Sequence, residues 1–321
     1  MNLGFIITDD FEMVNSLILL KQGRKELLTS SSLMLLKGEV GSGKSRLAMN
    51  LMVGFLGGND QLGLEYIQCP EGKHIIYVST EMSRYHLAKR RTKMLELIPQ
   101  ENKSKLVVSD IMNCPNKVEV FNNLITAYPP HVIIIDQLAD FVASINDLEM
   151  VNKMITSLSN GVETSDCGVI AIVHQNEDSG ISTKARGHLG STLEQKVVSS
   201  LAIADSKKGF RIKSTKVREG GVLDEIYAVF DEETDMLKSI TPQEEYGSEL
   251  TKIFNTLVLP DTKTNVCEQI GKYLKSDNYD TQKSRLTKLL EYNFVTEVKE
   301  GNKRMIHKQE EFTGLGLKII E

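Results

Sequence analysis

Residues 38–45 read G-E-V-G-S-G-K-S and match the phosphate-loop pattern G-x4-G-K-[ST] at every position. The apolar run at 33–36 predicts a buried strand before the loop, and the pattern at 46–55 predicts a helix after it. Glycines let the backbone N–H groups of such a loop turn towards phosphate oxygens, and the helix N-terminus adds partial positive charge. This arrangement predicts an α/β fold that binds a nucleoside triphosphate.

The loop residues and the arginine after them form the candidate nucleotide-binding set. Within it, Lys44 is expected to reach the β- and γ-phosphates during catalysis, and the Ser45 hydroxyl is expected to hold Mg²⁺. The chain contains no N-K-x-D guanine motif, so ATP is the expected nucleotide. The set comprises Gly38, Glu39, Val40, Gly41, Ser42, Gly43, Lys44, Ser45 and Arg46.

Two carboxylates and an amide at the ends of later strands extend this site. Glu81 follows the strand at 74–79, where it could orient and deprotonate the water that attacks the γ-phosphate. Asp136 closes the strand at 131–135 and fits the acidic residue that holds Mg²⁺, usually through water. Gln175 ends the next strand, where its amide could sense the γ-phosphate. A solvated carboxylate and an ordinary strand end are the structural alternatives for the first and last of these residues.

Composition places the chain among ordinary globular proteins. Its 321 residues suit one large domain and one small one, and its net charge of -5 argues against general coating of nucleic acid. The four cysteines are far apart and are expected to be reduced and mostly buried. No apolar run approaches the roughly 18 residues that span a bilayer, and no basic segment precedes the apolar N-terminal stretch. We therefore expect a cytoplasmic protein.

Strand and helix patterns alternate from about residue 30 to residue 240. The strand-like segments are almost continuously apolar, as in His131–Ile135, which indicates a parallel sheet covered on both faces. From about residue 198 the strands follow one another closely through short polar turns, which predicts an antiparallel extension. Beyond it, three helix-like segments at 247–257, 262–275 and 280–292 precede two short strands. This order is typical of a small α+β winged-helix-like domain.

The chain resembles the RecA-like ATPases, in particular the branch with DnaB-type replicative helicases, plasmid hexameric helicases of the RepA kind and KaiC-like proteins. S-T-E-M-S at 79–83 is similar to the motif in which a glutamate is the catalytic base. The segment 131–141 is similar to the second acidic motif of the branch, and L-E-Q at 193–195 to the segment after its mobile DNA-facing loop. The resemblance implies a RecA-like P-loop NTPase fold.

K-V-R-E-G at 216–220 carries the most specific part of this resemblance. In the family, a K-x-R-x-G at this strand end projects a lysine and an arginine finger into the active site of the neighbouring subunit. The resemblance therefore implies that Lys216 and Arg218 are catalytic in a homo-oligomer, a hexameric ring or a short filament. An exposed edge strand with alternating basic residues is the structural alternative.

The patterns and the resemblance together suggest a domain division. Residues 1–29 are expected to be a helical segment, 30–240 the RecA-like ATPase domain, 241–248 a linker and 249–321 the winged-helix-like domain. About thirty residues precede the phosphate loop, so the N-terminal collar of DnaB-type helicases is not expected. This layout, with its added winged-helix-like C-terminus, fits a plasmid, phage or transposon ATPase better than a replicative fork helicase.

Two regions are candidates for contact with DNA. The Gly-, Ser- and Thr-rich segment 176–190 carries Lys184 and Arg186 and could follow a single strand. From 283 to 308, seven Lys or Arg residues face three Glu residues, a local charge of about +4 that suits a duplex-binding surface. The candidates in this second region are Lys283, Arg285, Lys288, Lys303 and Arg304.

Three classes of function remain open at this point. The first is an oligomeric DNA-dependent ATPase that translocates on DNA or unwinds it. The second is a KaiC-like regulatory ATPase whose nucleotide state switches a protein interaction, with regulatory, replication or mobilisation proteins as partners. The third is a DNA-binding ATPase that loads or positions other proteins without unwinding. The full set of catalytic candidates favours turnover of ATP, and the basic C-terminal region favours DNA.

Overall fold

The computed structural model divides the chain into two compact units, with the boundary between Ser239 and Ile240. The structure describes residues 16–59, 62–175, 185, 187–291, 294–300 and 303–308. In this part of the chain, no helix is both long enough and apolar enough to cross a membrane.

The larger unit is built on strands and helices that alternate along the chain. Its strands are β1 (Ile18–Gln22), β2 (Lys25–Thr29), β3 (Ser32–Gly38), β4 (Glu65–Tyr66), β5 (His74–Ser79), β6 (Leu106–Asp110), β7 (Pro130–Asp136), β8 (Gly168–His174), β9 (Ser199–Asp205), β10 (Phe210–Val217), β11 (Ile226–Asp231) and β12 (Met236–Ile240). Its helices are α1 (Lys44–Phe55), α2 (Arg84–Leu97), α3 (Lys117–Ala127), α4 (Leu148–Ser165) and α5 (Gly187–Lys196).

A central sheet has the strand order β12-β11-β10-β9-β3-β8-β7-β5-β6 within the described residues. Strands β6, β5, β7, β8, β3 and β9 pair in parallel, and β10 pairs antiparallel with β9 and β11. The prediction of a mainly parallel sheet with an antiparallel extension is therefore confirmed.

The sheet buries both faces because its strands alternate apolar side chains between two cores. In β3, Met34 and Leu36 pack into the core that contains α1 and α2. Leu33 and Leu35, on the opposite face, pack into the core that contains α4 and α5. The fully buried strands explain why the sequence shows continuous apolar runs rather than alternating polar and apolar residues.

The expectation of a helical segment over residues 1–29 is wrong for the part that is described. β1 and β2 form an antiparallel hairpin that joins β4 in a separate small sheet. Gly23 and Arg24 form the two-residue turn between paired residues Gln22 and Lys25, and Gly23 has a φ of 59°. Glycine at the first turn position favours such hairpins, so this local signal predicts two strands rather than a helix.

The smaller unit contains three helices and three short strands among its described residues. They are α6 (Pro242–Thr256), β13 (Asp261–Thr262), α7 (Lys263–Leu274), α8 (Tyr279–Glu291), β14 (Val295–Glu300) and β15 (Lys303–Lys308). The strands have the order β13-β15-β14. The predicted helices and hairpin are present, with an additional short strand before α7.

The predicted linker at 241–248 is instead the beginning of α6. The Thr241 side chain accepts a hydrogen bond from the Glu244 backbone N–H (3.2 Å), and the Glu244 carboxylate accepts one from the Thr241 N–H (2.6 Å). This reciprocal pair is a capping box, and Pro242 occupies the first helical turn. The same polar residues that suggest a linker therefore begin a helix.

The cysteines are free thiols, as predicted. Cys69, Cys167 and Cys267 are buried, and Cys114 is partly exposed. Burial raises the pKa of Cys69 to about 11 and that of Cys167 to about 12. These two thiols remain protonated at neutral pH, which makes them weak nucleophiles.

Candidate nucleotide-binding site

The phosphate loop joins β3 to α1 and depends on glycine at its closest contacts. Gly43 precedes α1 with a φ of 89°, and a Cβ atom there would lie 2.9 Å from the Phe210 ring. A Cβ atom on Gly38 would lie 2.5 Å from the carbonyl oxygen of Ile203. Strands β9 and β10 therefore pack directly against the loop, and larger residues do not fit at these two positions.

Lys44 points back into the loop that precedes it. Its Nζ donates hydrogen bonds to the carbonyl oxygens of Gly38 (3.0 Å) and Glu39 (2.5 Å). Burial lowers the pKa of Lys44, while the charges of Asp136 and Glu81 act in the opposite direction. The ammonium group is thus held by uncharged carbonyl groups, beside the space that the loop encloses.

Ser45 and Asp136 meet at the sheet edge as the sequence predicts. The Ser45 hydroxyl donates to Asp136 Oδ2 (2.8 Å), and the Tyr77 hydroxyl donates to the same oxygen (2.5 Å). Burial, and then the neighbouring Asp136, raise the pKa of Tyr77 well above its usual value. A hydroxyl and a carboxylate are hard oxygen ligands, so this pair fits Mg²⁺.

Glu81 lies on the wall of a cleft of about 590 Å³ that also exposes Lys44, Ser45 and Asp136. It follows β5, and its side chain is about half exposed (54%). His174, at the end of β8, lines the same cleft, with Nε2 3.8 Å from Glu81 Oε1. The carboxylate can therefore reach both the open cleft and a group that could hold it in place.

Helix α2 adds polar residues to the cleft that the sequence analysis missed. Ser83, at the N-cap of α2, lines the cleft together with His86 and Arg90, which follow it by three and seven residues on the same side of the helix. Within the described residues, Nη1 of Arg90 is buried without a hydrogen-bond partner. Because polar residues at helical spacing directly follow Glu81, this signal was present in the sequence.

Gln175 is buried, and the described residues that line the cleft include its neighbour His174 instead. The Gln175 backbone N–H donates to the carbonyl oxygen of Gly38 (3.1 Å). Gln175 also forms an isolated antiparallel bridge with Ala185. The residue therefore connects the phosphate loop to Ala185.

Lys216 and Arg218 lie close together at the opposite edge of the sheet from the phosphate loop. Val217 pairs with Ser199, which in turn pairs with Met34 near the start of β3, whereas the phosphate loop follows the end of β3. Both side chains donate to the carbonyl oxygen of Gln195, at 3.2 Å and 3.0 Å. The two cations are therefore side by side and away from the phosphate loop of their own chain.

The candidate DNA contacts differ in their surroundings. Lys184 and Arg186 lie outside the described residues. Lys283, Lys303 and Arg304 are exposed, although Arg304 Nη1 lies 3.5 Å from a carboxylate oxygen of Glu297. The remaining two, Arg285 and Lys288, are partly buried against α6.

Arg285 and Lys288 both contact helix α6 of the smaller unit. Arg285 pairs with Glu249 (2.6 Å), and Lys288 Nζ lies 3.2 Å from the centre of the Tyr246 ring. Both partners belong to α6, so the two cations hold α8 against that helix. The exposed positive charge of α8 is therefore smaller than the sequence suggests.

A family model described as an AAA domain matches residues 20–180, which is half of the chain. The chain belongs to this family. No match was found among curated proteins. The AAA domain match covers the phosphate loop, Glu81, Asp136 and His174, and it ends before Lys216. With the central sheet, it identifies the larger unit as a P-loop ATPase domain of RecA-like fold that binds nucleotide.

The packing of the loop generates a testable difference between two glycines of the AAA domain. Gly43 and Gly63 both have positive φ angles, but a Cβ on Gly63 would meet no atom within 4 Å. Gly63→Ala is expected to cost about 1–2 kcal/mol of unfolding free energy through its backbone conformation alone. Gly43→Ala is expected to cost more and to weaken binding of a fluorescent ATP analogue. Equal unfolding free energies and equal affinities would contradict this account.

Proposed function

We propose that the protein is an oligomeric, Mg²⁺-dependent ATPase associated with DNA, related to the DnaB- and RepA-type helicases and translocases. The observation that carries the ATPase part is the cleft itself, where Lys44, the Ser45–Asp136 pair and Glu81 converge. A site that only binds nucleotide does not need a carboxylate beside the phosphates. Here one stands at the end of β5, with solvent access.

Each residue has a chemical role that follows from its position. Lys44 exchanges its loop carbonyl contacts for phosphate oxygens, and Arg90 supplies a second positive charge from α2. Glu81 orients the attacking water and accepts its proton. Mg²⁺, held by Ser45 and Asp136, neutralises charge on the phosphate oxygens when it is bound.

The oligomeric part of the proposal rests on Lys216 and Arg218. Their side chains share one carbonyl group, so they present two positive charges in one direction. They lie at the far edge of the sheet from their own phosphate loop. We propose that they act on the nucleotide bound by a second copy of the chain, where an arginine stabilises developing negative charge.

Substitution of Glu81 separates ATP binding from ATP hydrolysis. Glu81→Gln is expected to retain ATP affinity, because the loop and Lys44 are intact, and to lower kcat by about 10²- to 10⁴-fold through loss of the base. Glu96→Gln is the matched control, since Glu96 is an exposed residue of α2. The measurement is steady-state phosphate release together with equilibrium ATP binding. Near-normal turnover in Glu81→Gln would show that another group activates the water.

Mixing two inactive variants tests whether the active site is completed by residues of a second copy. Arg218→Ala and Lys44→Ala proteins are each expected to be inactive, and their mixture is expected to recover activity. In mixed oligomers, some interfaces combine an intact loop with an intact Arg218. A mixture of Glu81→Gln and Lys44→Ala is the control, because both changes damage the loop side of the interface and no intact site can form.

Failure of the first mixture to recover activity, while mixed oligomers demonstrably form, would contradict action between copies. Recovery in the control mixture would show that Glu81 acts across the interface, which would contradict its proposed role in the site of its own chain. The two outcomes are distinguished by the same phosphate-release measurement.

The association with DNA is proposed from the smaller unit. Its helix–strand–helix–helix–hairpin order supports a winged-helix-like domain, and the hairpin exposes Lys303 and Arg304. The double variant Lys303→Ala/Arg304→Ala is expected to bind duplex DNA more weakly and to reduce the slope of log K against log salt by about 2. The control Lys208→Ala/Lys238→Ala removes the same charge from exposed positions of the larger unit.

A second candidate function is supported by the outer surface of α8. Its exposed residues carry two acidic groups and one basic group, while Arg285 and Lys288 contact α6. Such a surface suits a protein partner, as in a KaiC-like regulatory ATPase or a loader. Unchanged salt-dependent DNA binding in Lys303→Ala/Arg304→Ala would favour this alternative.

A further inference from the structure

The last turn of α5 holds the two cations that are proposed to act on a neighbouring copy. Lys216 Nζ donates to the carbonyl oxygens of Glu194 (2.5 Å) and Gln195 (3.2 Å). Arg218 Nη2 donates to the carbonyl oxygen of Gln195 (3.0 Å). Carbonyl groups at a helix C-terminus carry partial negative charge and lack helical partners, so they stabilise cations. The position of this turn therefore sets the position of both cations.

The side chain of Glu194 fixes this turn to the centre of the sheet. Its Oε1 accepts a hydrogen bond from Lys37 Nζ (2.6 Å), and the Lys37 side chain is only 3% exposed. Lys37 is a residue of β3 and directly precedes Gly38 of the phosphate loop. Removing one partner of a buried ion pair is costly because it leaves an uncompensated charge. Glu194 is thus a strong attachment between α5 and β3.

The same carboxylate oxygen also accepts the backbone N–H of Ala185 (3.2 Å). Ala185 bridges to Gln175, whose N–H donates to the carbonyl oxygen of Gly38. Glu194 therefore joins β3, the chain just before α5, and the carbonyl groups that hold Lys216.

We infer that Glu194 is a positioning residue for the Lys216–Arg218 pair. By anchoring the end of α5 to β3, its side chain sets where the two cations are presented to the nucleotide of a neighbouring copy. This inference rests on the proposed action of those cations between copies. It assigns to Glu194 an effect on the neighbour's site rather than on the phosphate loop of its own chain.

Subunit mixing with Glu194→Gln tests this assignment in the full-length protein. The variant alone is expected to show a kcat about 2- to 30-fold lower, the range of energetic coupling between linked sites, with little change in KM for ATP. Mixed with Lys44→Ala, it is expected to recover activity. The reason is that its own loop is intact and the Lys44→Ala copies supply well-positioned cations.

The mixture of Arg218→Ala with Lys44→Ala separates the failure of this inference from the failure of the proposed function. If that mixture recovers activity and the Glu194→Gln mixture does not, Glu194 acts on its own site and the inference is overturned. If neither mixture recovers, action between copies fails and the inference falls with it. Full activity of Glu194→Gln alone would also overturn the inference.

A second variant distinguishes a loss of positioning from a loss of protein stability. Glu194→Gln leaves the Lys37 ammonium buried beside an uncharged amide, so it could unfold the protein. Lys37→Met/Glu194→Met replaces the ion pair with apolar groups, an exchange that is often neutral or stabilising. This double variant is expected to unfold at a temperature close to that of the parent, to keep a lowered kcat on its own and to recover activity when mixed with Lys44→Ala. Parent-like activity on its own would show that Glu194 only neutralises Lys37, which would overturn the inference.

Discussion

Parallel pairing of β5, β7, β8 and β3 brings the carboxyl ends of four strands to one edge of the sheet. The phosphate loop, the two carboxylates and His174 of the proposed nucleotide site depend on this constraint. The phosphate loop follows β3, Glu81 follows β5, Asp136 ends β7 and His174 ends β8. Residues that are far apart in sequence therefore share one cleft, as in other open α/β sheets.

Two lysines, one before and one after Gly38 in the sequence, have different roles in this chain. The Lys44 ammonium group donates a hydrogen bond to the carbonyl oxygen of Gly38, and it is proposed to exchange this bond for one to a phosphate oxygen. Lys37 lies one residue before Gly38 and is held by Glu194 of α5. The Lys44 contact lies in the nucleotide site of this chain. The Lys37–Glu194 contact connects β3 to the end of α5, whose carbonyl groups hold Lys216 and Arg218. The same strand thus supports both the proposed nucleotide site and the proposed contribution to a neighbour.

The sequence was sufficient for the sheet and for the main residues of the cleft, because these depend on local patterns. Strand, glycine loop and helix are contiguous in the chain, and Glu81 and Asp136 mark strand ends. The sequence predictions are wrong where a short-range signal competes with a broader pattern. The Gly23 hairpin replaces a predicted helical segment, and the Thr241 capping box begins a helix in a predicted linker. The sequence does not predict the side-chain directions of Arg285 and Lys288, because their contacts with α6 arise only from tertiary packing. The position of Gln175 has the same cause.

The central claim is that the γ-phosphate of one copy is bound by Lys216 and Arg218 of another. The most direct test is the mass of the assembly, measured by light scattering on the slowly hydrolysing Glu81→Gln protein with Mg²⁺ and either ATP or ADP. The account predicts oligomers with ATP that dissociate with ADP, and no oligomers with ATP when Lys216 and Arg218 are both replaced by alanine. A parent protein that stays monomeric with ATP at micromolar concentration and still hydrolyses it at full rate would contradict the account.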